Sequence, residues 1–192
     1  MNLYQDEFES PVGMIYIVSD GTKLRALDFE GHESRLHRLL AIHYGRYTIH
    51  STRDTIGTMS RLKDYFDGDL QAGERLAMAT NGTEFQQQVW AALRTIPAGT
   101  TVSYGMIANR IGRPNACRAV GLANGSNPIG IFVPCHRVIG ANKSLTGYGG
   151  GLARKQWLLE HEGALTATCP QSSLFRESPQ ALERNVPAFP MR

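Results

Sequence analysis

Ile131-Phe132-Val133-Pro134-Cys135-His136-Arg137-Val138-Ile139-Gly140 is the stretch around which the chain is organised. Two apolar runs enclose a cysteine, a histidine and an arginine. Val133 and Ile139 read as buried strand or core, and Pro134 removes a backbone donor and fixes φ just before the thiol. Free cysteine is ordinarily a core residue. Here cationic or titratable neighbours follow it, and such neighbours favour the thiolate. Adjacent side chains of an extended segment point to opposite faces, so joining Cys135 to His136 requires a turn or an intervening water. An imidazole acting as base also needs a third group to orient it. Downstream, Trp157-Leu158-Leu159-Glu160-His161-Glu162-Gly163 offers two carboxylates, and the sequence does not choose between them.

The 192 residues fit one domain or two small ones, and 42% hydrophobic with 19% charged residues is the composition of a soluble globular protein. No apolar run is long enough to cross a bilayer, and the polar, acidic start Met1-Asn2-Leu3-Tyr4-Gln5-Asp6-Glu7 does not read as a secretory signal. Cysteines at 117, 135 and 169 lack CxxC spacing. That argues against a disulfide framework or zinc site and for a reducing cytoplasm. His32, His37, His43 and His50 form no ligand pattern, so no metal is expected.

Charge is unevenly placed. Residues 1–84 hold nine Lys/Arg and thirteen Asp/Glu, and residues 160–192 hold three and four. Residues 85–159 hold eight Lys/Arg and no carboxylate at all. A surface of that kind suits a polyanion, because every carboxylate on it would repel phosphate.

The expected fold class is α+β. Short β-prone runs at 4–8, 14–19 and 23–29, with turn signals at Pro11-Val12-Gly13 and Asp20-Gly21, predict a small three-stranded antiparallel sheet. Helical spacing marks 32–44 and 56–66, with Gly68 just past the second helix. Residues 69–79 read as a linker, and residues 1–80 carry no visible chemistry. Thr83-x-x-Gln86 is a capping box that opens a helix carrying Phe85, Val89, Leu93 and Ile96. Ser103 caps a helix to about Ile111, Gly112-Arg113-Pro114 turns the chain, and Asn115 caps a second helix to about Asn124. That is a helix-turn-helix pattern. The second helix is built from Ala116, Cys117, Ala119, Gly121 and Ala123, with Arg118 as its only long cation. Such a helix suits a narrow minor groove or a single wedge into a base step better than major-groove reading. Residues 81–163 form a second expected domain, which carries the helix-turn-helix and Cys135, after an N-terminal domain of 1–80. Four prolines after Gly163 predict a flexible tail over 164–192.

Pro134-Cys135-His136-Arg137-Val138, with Asn124-Gly125-Ser126-Asn127-Pro128 and Gly147-Tyr148-Gly149-Gly150-Gly151, resembles the O6-alkylguanine-DNA alkyltransferase family, in its bacterial form. The resemblance runs from about Thr83 to Gly163. It implies direct repair without a cofactor. The DNA-facing helix, with Ala116 and Ala119, lies in the minor groove of double-stranded DNA, and the damaged nucleotide is extruded while Arg118 fills its space. Tyr104 turns the 3′ phosphate and donates to the base, and Asn127 braces the turn before the cysteine. Backbone at Cys135 and Val138 reads the guanine edge under a lid of Tyr148 and Gly149. Cys135 then takes the alkyl group from O6-alkylguanine, and from O4-alkylthymine, in one irreversible turnover. His136, through a water, accepts the proton and Glu162 orients it. The expected protein is a monomer in solution, with cooperative assembly on DNA left open. Cys117 departs from the alanine common at its position. Rival readings are a lesion binder without transfer, a helix-turn-helix regulator with a sensing cysteine, and a cysteine hydrolase.

Overall fold

The computed structural model describes residues 1–53 and 56–166. β1 (Asn2–Ser10), β2 (Gly13–Ser19) and β3 (Leu24–Phe29) make the expected antiparallel meander, in register Phe8↔Ile15 and Ile15↔Phe29. Gly13 turns the first hairpin at φ 96, a conformation that glycine adopts without penalty. Side chains alternate across the sheet. Leu3, Val18 and Ala26 face α1 (Glu33–Tyr44) through its Leu36 and Leu40, while Ile15, Ile17, Leu27 and Phe29 join the main core.

Two features of this half depart from the sequence reading. A fourth strand, β4 (Thr48–Ser51), lies parallel to β1 with Leu3 opposite Ile49, so the sheet is mixed, in order β3-β2-β1-β4. Its four residues sit on an open edge, where no apolar alternation is imposed. Residues 69–79 are not a free linker. Ala72 and Leu76 are buried, and the segment extends the sheet edge through Leu24 N–H to the Ala77 carbonyl (2.9 Å) and Ala79 N–H to the Leu24 carbonyl (3.1 Å). α2 (Thr58–Phe66) starts behind Gly57 at φ 78, two residues later than its spacing suggests, and buries Leu62 and Tyr65.

α3 (Glu84–Arg94) opens on the expected capping box, with Thr83 and Gln86 satisfying each other's backbone N–H groups. It carries Val89, Trp90 and Leu93 into the core. α4 (Tyr104–Arg110) is capped by Ser103, whose Oγ accepts from Met106 N–H at 3.2 Å. α5 (Cys117–Gly125) begins later than expected and Asn115 does not cap it. The preceding turn closes through Ala116 N–H to the Arg113 carbonyl (2.9 Å), which leaves Asn115 inside the turn. β5 (Val102–Ser103) pairs parallel with β6 (Val138–Ile139), and α6 (Leu152–His161) closes the described chain. Val12, Leu62 and Tyr65 share one apolar cluster with Leu93, Val138 and Leu158, so a single core spans sheet and helices. Among the described residues no helix is long and apolar enough to cross a membrane. The expectation of a flexible tail, and Cys169 with it, falls almost wholly outside the described residues.

Candidate functional site

Two tight turns deliver the cysteine. Phe132 N–H reaches the Gly130 carbonyl (2.7 Å) around Ile131, which sits at φ 62, and Cys135 N–H reaches the Val133 carbonyl (2.7 Å) around Pro134. A β-branched residue at positive φ is strained and persists only where its surroundings fix it. The chain then enters a 3-10 turn over Cys135–Arg137. Successive side chains there diverge by about 120°, the three-residue repeat of a 3-10 turn. The chain therefore turns between Cys135 and His136 instead of running extended. Cys135 is 5% exposed. Asn127 braces it: its Nδ2 donates to Cys135 Sγ (3.1 Å), the Val133 carbonyl (2.8 Å) and the Ile129 carbonyl (3.1 Å), while its Oδ1 accepts from Ile129 N–H (3.1 Å). Asn124 Nδ2 holds the Cys135 carbonyl at 3.3 Å.

Burial pushes the Cys135 thiol up, and the Asn127 hydrogen bond and the charges of Arg35 and Lys155 oppose that rise. The support for a thiolate is thus not the support read from the sequence. Arg137 turns away from the sulfur, placing Nε and Nη2 on Glu162 (2.7 and 2.8 Å) and Nη1 on the Ile96 carbonyl (2.5 Å).

Glu162, the residue that ends α6, is the carboxylate the histidine meets. His136 Nε2 lies 2.9 Å from Glu162 Oε1, and Tyr65 donates its hydroxyl to the same oxygen at 2.8 Å. Glu160 instead accepts from Gln156 within α6. Burial would raise the Glu162 carboxyl, but the hydrogen bonds and charges of His136 and Arg137 hold it well below the usual carboxylate range. An ionised Glu162 fixes the tautomer: Nε2 carries the proton and donates, and Nδ1 is the basic nitrogen. His136 is fully buried and its Nδ1 has no protein partner. Burial pulls the imidazole below its ordinary value, while Glu162 pulls it back up.

Of the remaining expected residues, Tyr148 packs against His136, and the others lie on neighbouring elements. Val138 opens β6, and its carbonyl accepts from Lys155 Nζ (2.6 Å), which also holds the Thr146 carbonyl (2.8 Å). Lys155 is fully buried, and burial lowers its ammonium to about 8. Tyr148 lies edge-on to His136 (centroids 6.4 Å apart) and tilts over Phe29 (6.2 Å), with its buried hydroxyl unpaired. A Cβ on Gly149 would lie 2.6 Å from the Arg35 guanidinium carbon, so a side chain there would push the end of Arg35 aside. Arg35 pairs with Asp28 (2.5 Å) and donates to the carbonyls of Gly125 (3.0 Å) and Asn127 (2.8 Å). Tyr104, at the start of α4, shares a hydrogen bond with Thr146 (3.1 Å) and packs over Gly121 of α5. Arg118 and Ala119 are exposed on the first turn of α5, with Ala116 half-buried just before it. Cys117 is exposed on that turn, and its thiol faces the Pro114 carbonyl at 3.9 Å.

Tyr65, Lys155, Arg35 and Asp28 are neighbours of the site that the sequence reading missed, and Arg137, read there as a cation favouring the thiolate, instead holds Glu162. Tyr65 and Arg35 bring residues 1–80, which show no chemistry in the sequence, into hydrogen-bond contact with Glu162 and with the Gly125 and Asn127 carbonyls. In sequence Tyr65 is one more member of an apolar stripe, and its hydroxyl meets a carboxylate 97 positions away. Among the described residues no group of three or more His, Cys, Asp or Glu could hold a metal. A cleft of about 760 Å³ opens between the 70–74 segment and the end of α3, lined by Glu74, Arg94, Pro97 and Phe132 and touching Pro134 and Arg137. Cys135, Val138 and Tyr148 do not line it, so it is not the space in front of the thiol.

Fold and site together define a helix-turn-helix protein with a buried cysteine followed by a buried His136–Glu162 hydrogen-bonded pair. Residues 84–164 match the family described as 6-O-methylguanine DNA methyltransferase, DNA binding domain. A methylated-DNA–protein-cysteine methyltransferase of Salmonella typhimurium is 48% identical over 168 residues, covering 86% of this chain and 98% of its own. The crystal structure of Mycobacterium tuberculosis O6-methylguanine methyltransferase is similar with a TM-score of 0.69 at 42% identity, over 87% of this chain and 96% of that one. That of M. tuberculosis OGT in complex with DNA gives 0.67 at 44%, over 85% and 94%. The chain belongs to the methylated-DNA–protein-cysteine methyltransferase family.

Proposed function

We propose that this protein reverses alkylation damage in double-stranded DNA by moving the alkyl group of O6-alkylguanine, and of O4-alkylthymine, onto Cys135. The observation that supports the reading is a buried thiol next in sequence to a histidine that a carboxylate orients. Sγ is buried and held by Asn127, and the neighbouring imidazole has Nε2 committed to Glu162 and only Nδ1 free. Residues 81–163 do the binding and transfer, and residues 1–80 support them, working in the cytoplasm.

The chemistry follows from the groups present. α5 enters the minor groove, with Ala116 and Ala119 allowing close approach, and the damaged nucleotide leaves the stack at a cost of a few kcal/mol. Arg118 takes its place, and Tyr104 steers the adjoining phosphate. The Val138 backbone and the lid of Tyr148 and Gly149 hold the extruded base. A free thiol with pKa about 8.5 is only a few per cent ionised at neutral pH, so activation is required. His136 Nδ1 takes the Sγ proton through one water, and Glu162 stabilises the resulting imidazolium. Sγ attacks the alkyl carbon, the carbon–oxygen bond breaks, and the electron pair leaves on the base, where Tyr104 offsets its charge. The product thioether is a poor leaving group, so each molecule acts once. No cofactor enters.

Incubation with duplex DNA containing O6-methylguanine, followed by intact-mass analysis and peptide mapping, tests this. One added methyl on the Cys135 peptide is expected, with none in Cys135→Ser and full transfer in Cys117→Ala. Label on Cys117, or transfer surviving in Cys135→Ser, would overturn the assignment. A lesion binder would add no mass.

A further inference from the structure

The exposed face of α5 consists of Cys117, Arg118, Ala119, Leu122 and Gly125. Only Arg118 and Leu122 among them are long. Leu122 is 78% exposed, more than any other large apolar side chain among the described residues. A single exposed leucine needs no explanation by itself; its position does. It follows Arg118 by four residues, so the two share one helix face about 6 Å apart along the axis, from the 1.5 Å rise per residue. The segment that carries them, 85–159, has no carboxylate. A face that is otherwise small, bears one cation and is topped by one leucine fits a narrow groove whose walls are sugar rings. Leucine is one of the side chains with which proteins wedge the minor groove.

We propose that Leu122 is an apolar minor-groove contact. It packs against the sugar walls beside the step that Arg118 occupies and adds affinity for duplex DNA that salt does not screen. This rests on the reading of α5 as the groove helix. The two side chains differ in kind: a cation on phosphate or in the groove displaces counterions, so its loss flattens the salt dependence, whereas an apolar contact leaves that dependence alone.

The test is fluorescence-anisotropy titration of the full chain, in a Cys135→Ser background, with a duplex bearing O6-methylguanine at several salt concentrations. Leu122→Ala keeps a strong helix former at an exposed position, so the melting temperature serves as the folding control. It is expected to weaken binding about tenfold, or about 1.4 kcal/mol, by the same factor at every salt concentration. Leu122→Met should recover most of that loss, and Arg118→Ala should reduce the slope by about one contact. Binding by Leu122→Ala within twofold of its parent, or tighter, overturns the inference while Arg118→Ala still shows its loss. If Arg118→Ala also leaves affinity and slope intact, the reading of α5 as the groove helix falls instead.

Discussion

Glu162→Gln removes one charge from a carboxylate that four donor contacts converge on. Oε1 accepts from Tyr65, His136 and Arg137 Nη2, and Oε2 accepts from Arg137 Nε. An amide can turn its oxygen toward the three donors, but its NH2 then faces Arg137 Nε. The guanidinium, 9% exposed, loses its counter-ion and keeps the Ile96 carbonyl. Breaking a buried pair by removing one partner destabilises by about 3–5 kcal/mol. With roughly 2–4 °C per kcal/mol for chains of this size, the melting temperature should fall by about 10 °C at pH 7. The loss is pH-dependent with a definite sign. The folded pKa of Glu162 lies well below its unfolded value, so its contribution is complete above that unfolded value, about 4.3, and fades as pH falls toward the folded one. The gap between parent and variant should therefore narrow below about pH 4, again from that reference value. Calorimetry from pH 7 to pH 3 reads this directly, and single-turnover transfer at pH 7 should slow without vanishing, because Glu162 orients the base and does not attack. A melting temperature within 2 °C of the parent, about 1 kcal/mol on the same scale, would refute the ion-pair argument. So would a gap that does not vary with pH.

Three other outcomes follow from the same geometry. Tyr65→Phe removes a hydroxyl but leaves Oε1 two donors, so stability should drop by about 1.5 kcal/mol, the lower end for a bond to a charged group. Transfer should stay within a few-fold, and a hundredfold loss in a stable protein would make Tyr65 part of the chemistry. Arg118→Ala should impair repair of duplex DNA far more than reaction with free O6-benzylguanine, since a free base leaves no gap to fill; equal losses would place Arg118 elsewhere in the mechanism. Lys155 has a folded pKa of about 8, below its unfolded value, so from about pH 8 upward the unfolded chain binds more protons and this residue's contribution rises with pH. Subtracting melting temperatures of Lys155→Met from the parent's between pH 7 and 10 isolates it, and a flat difference would show no such linkage.

What was legible in the sequence was what periodicity and local chemistry control. The meander, the capping box at Thr83 and Gln86, the two helices around Gly112 and the Cys135–His136 pair all depend on near neighbours. What was not legible depends on groups far apart in the chain. β4 is four residues on an edge with no burial to impose a pattern. Lys155 counted as one more surface cation until the fold enclosed it with two carbonyls. Asn115 looked like a cap because asparagine favours that place, but the turn before α5 runs one residue further. The residues alone left Glu160 and Glu162 open, and only the family resemblance named Glu162; at the C-terminal end of α6 one carboxylate turns inward and the other lies beside Gln156.

The shared core has a consequence for modularity. Residues 84–164 match a family as a unit, yet the parts beneath the thiol come from elsewhere: the Tyr65 hydroxyl on Glu162, the Phe29 ring under Tyr148, and Arg35 under Gly149. A graft of that segment onto another scaffold would carry the cysteine and its histidine but leave behind the ground they stand on. The segment that the family matches is therefore not a self-contained structural unit in this chain.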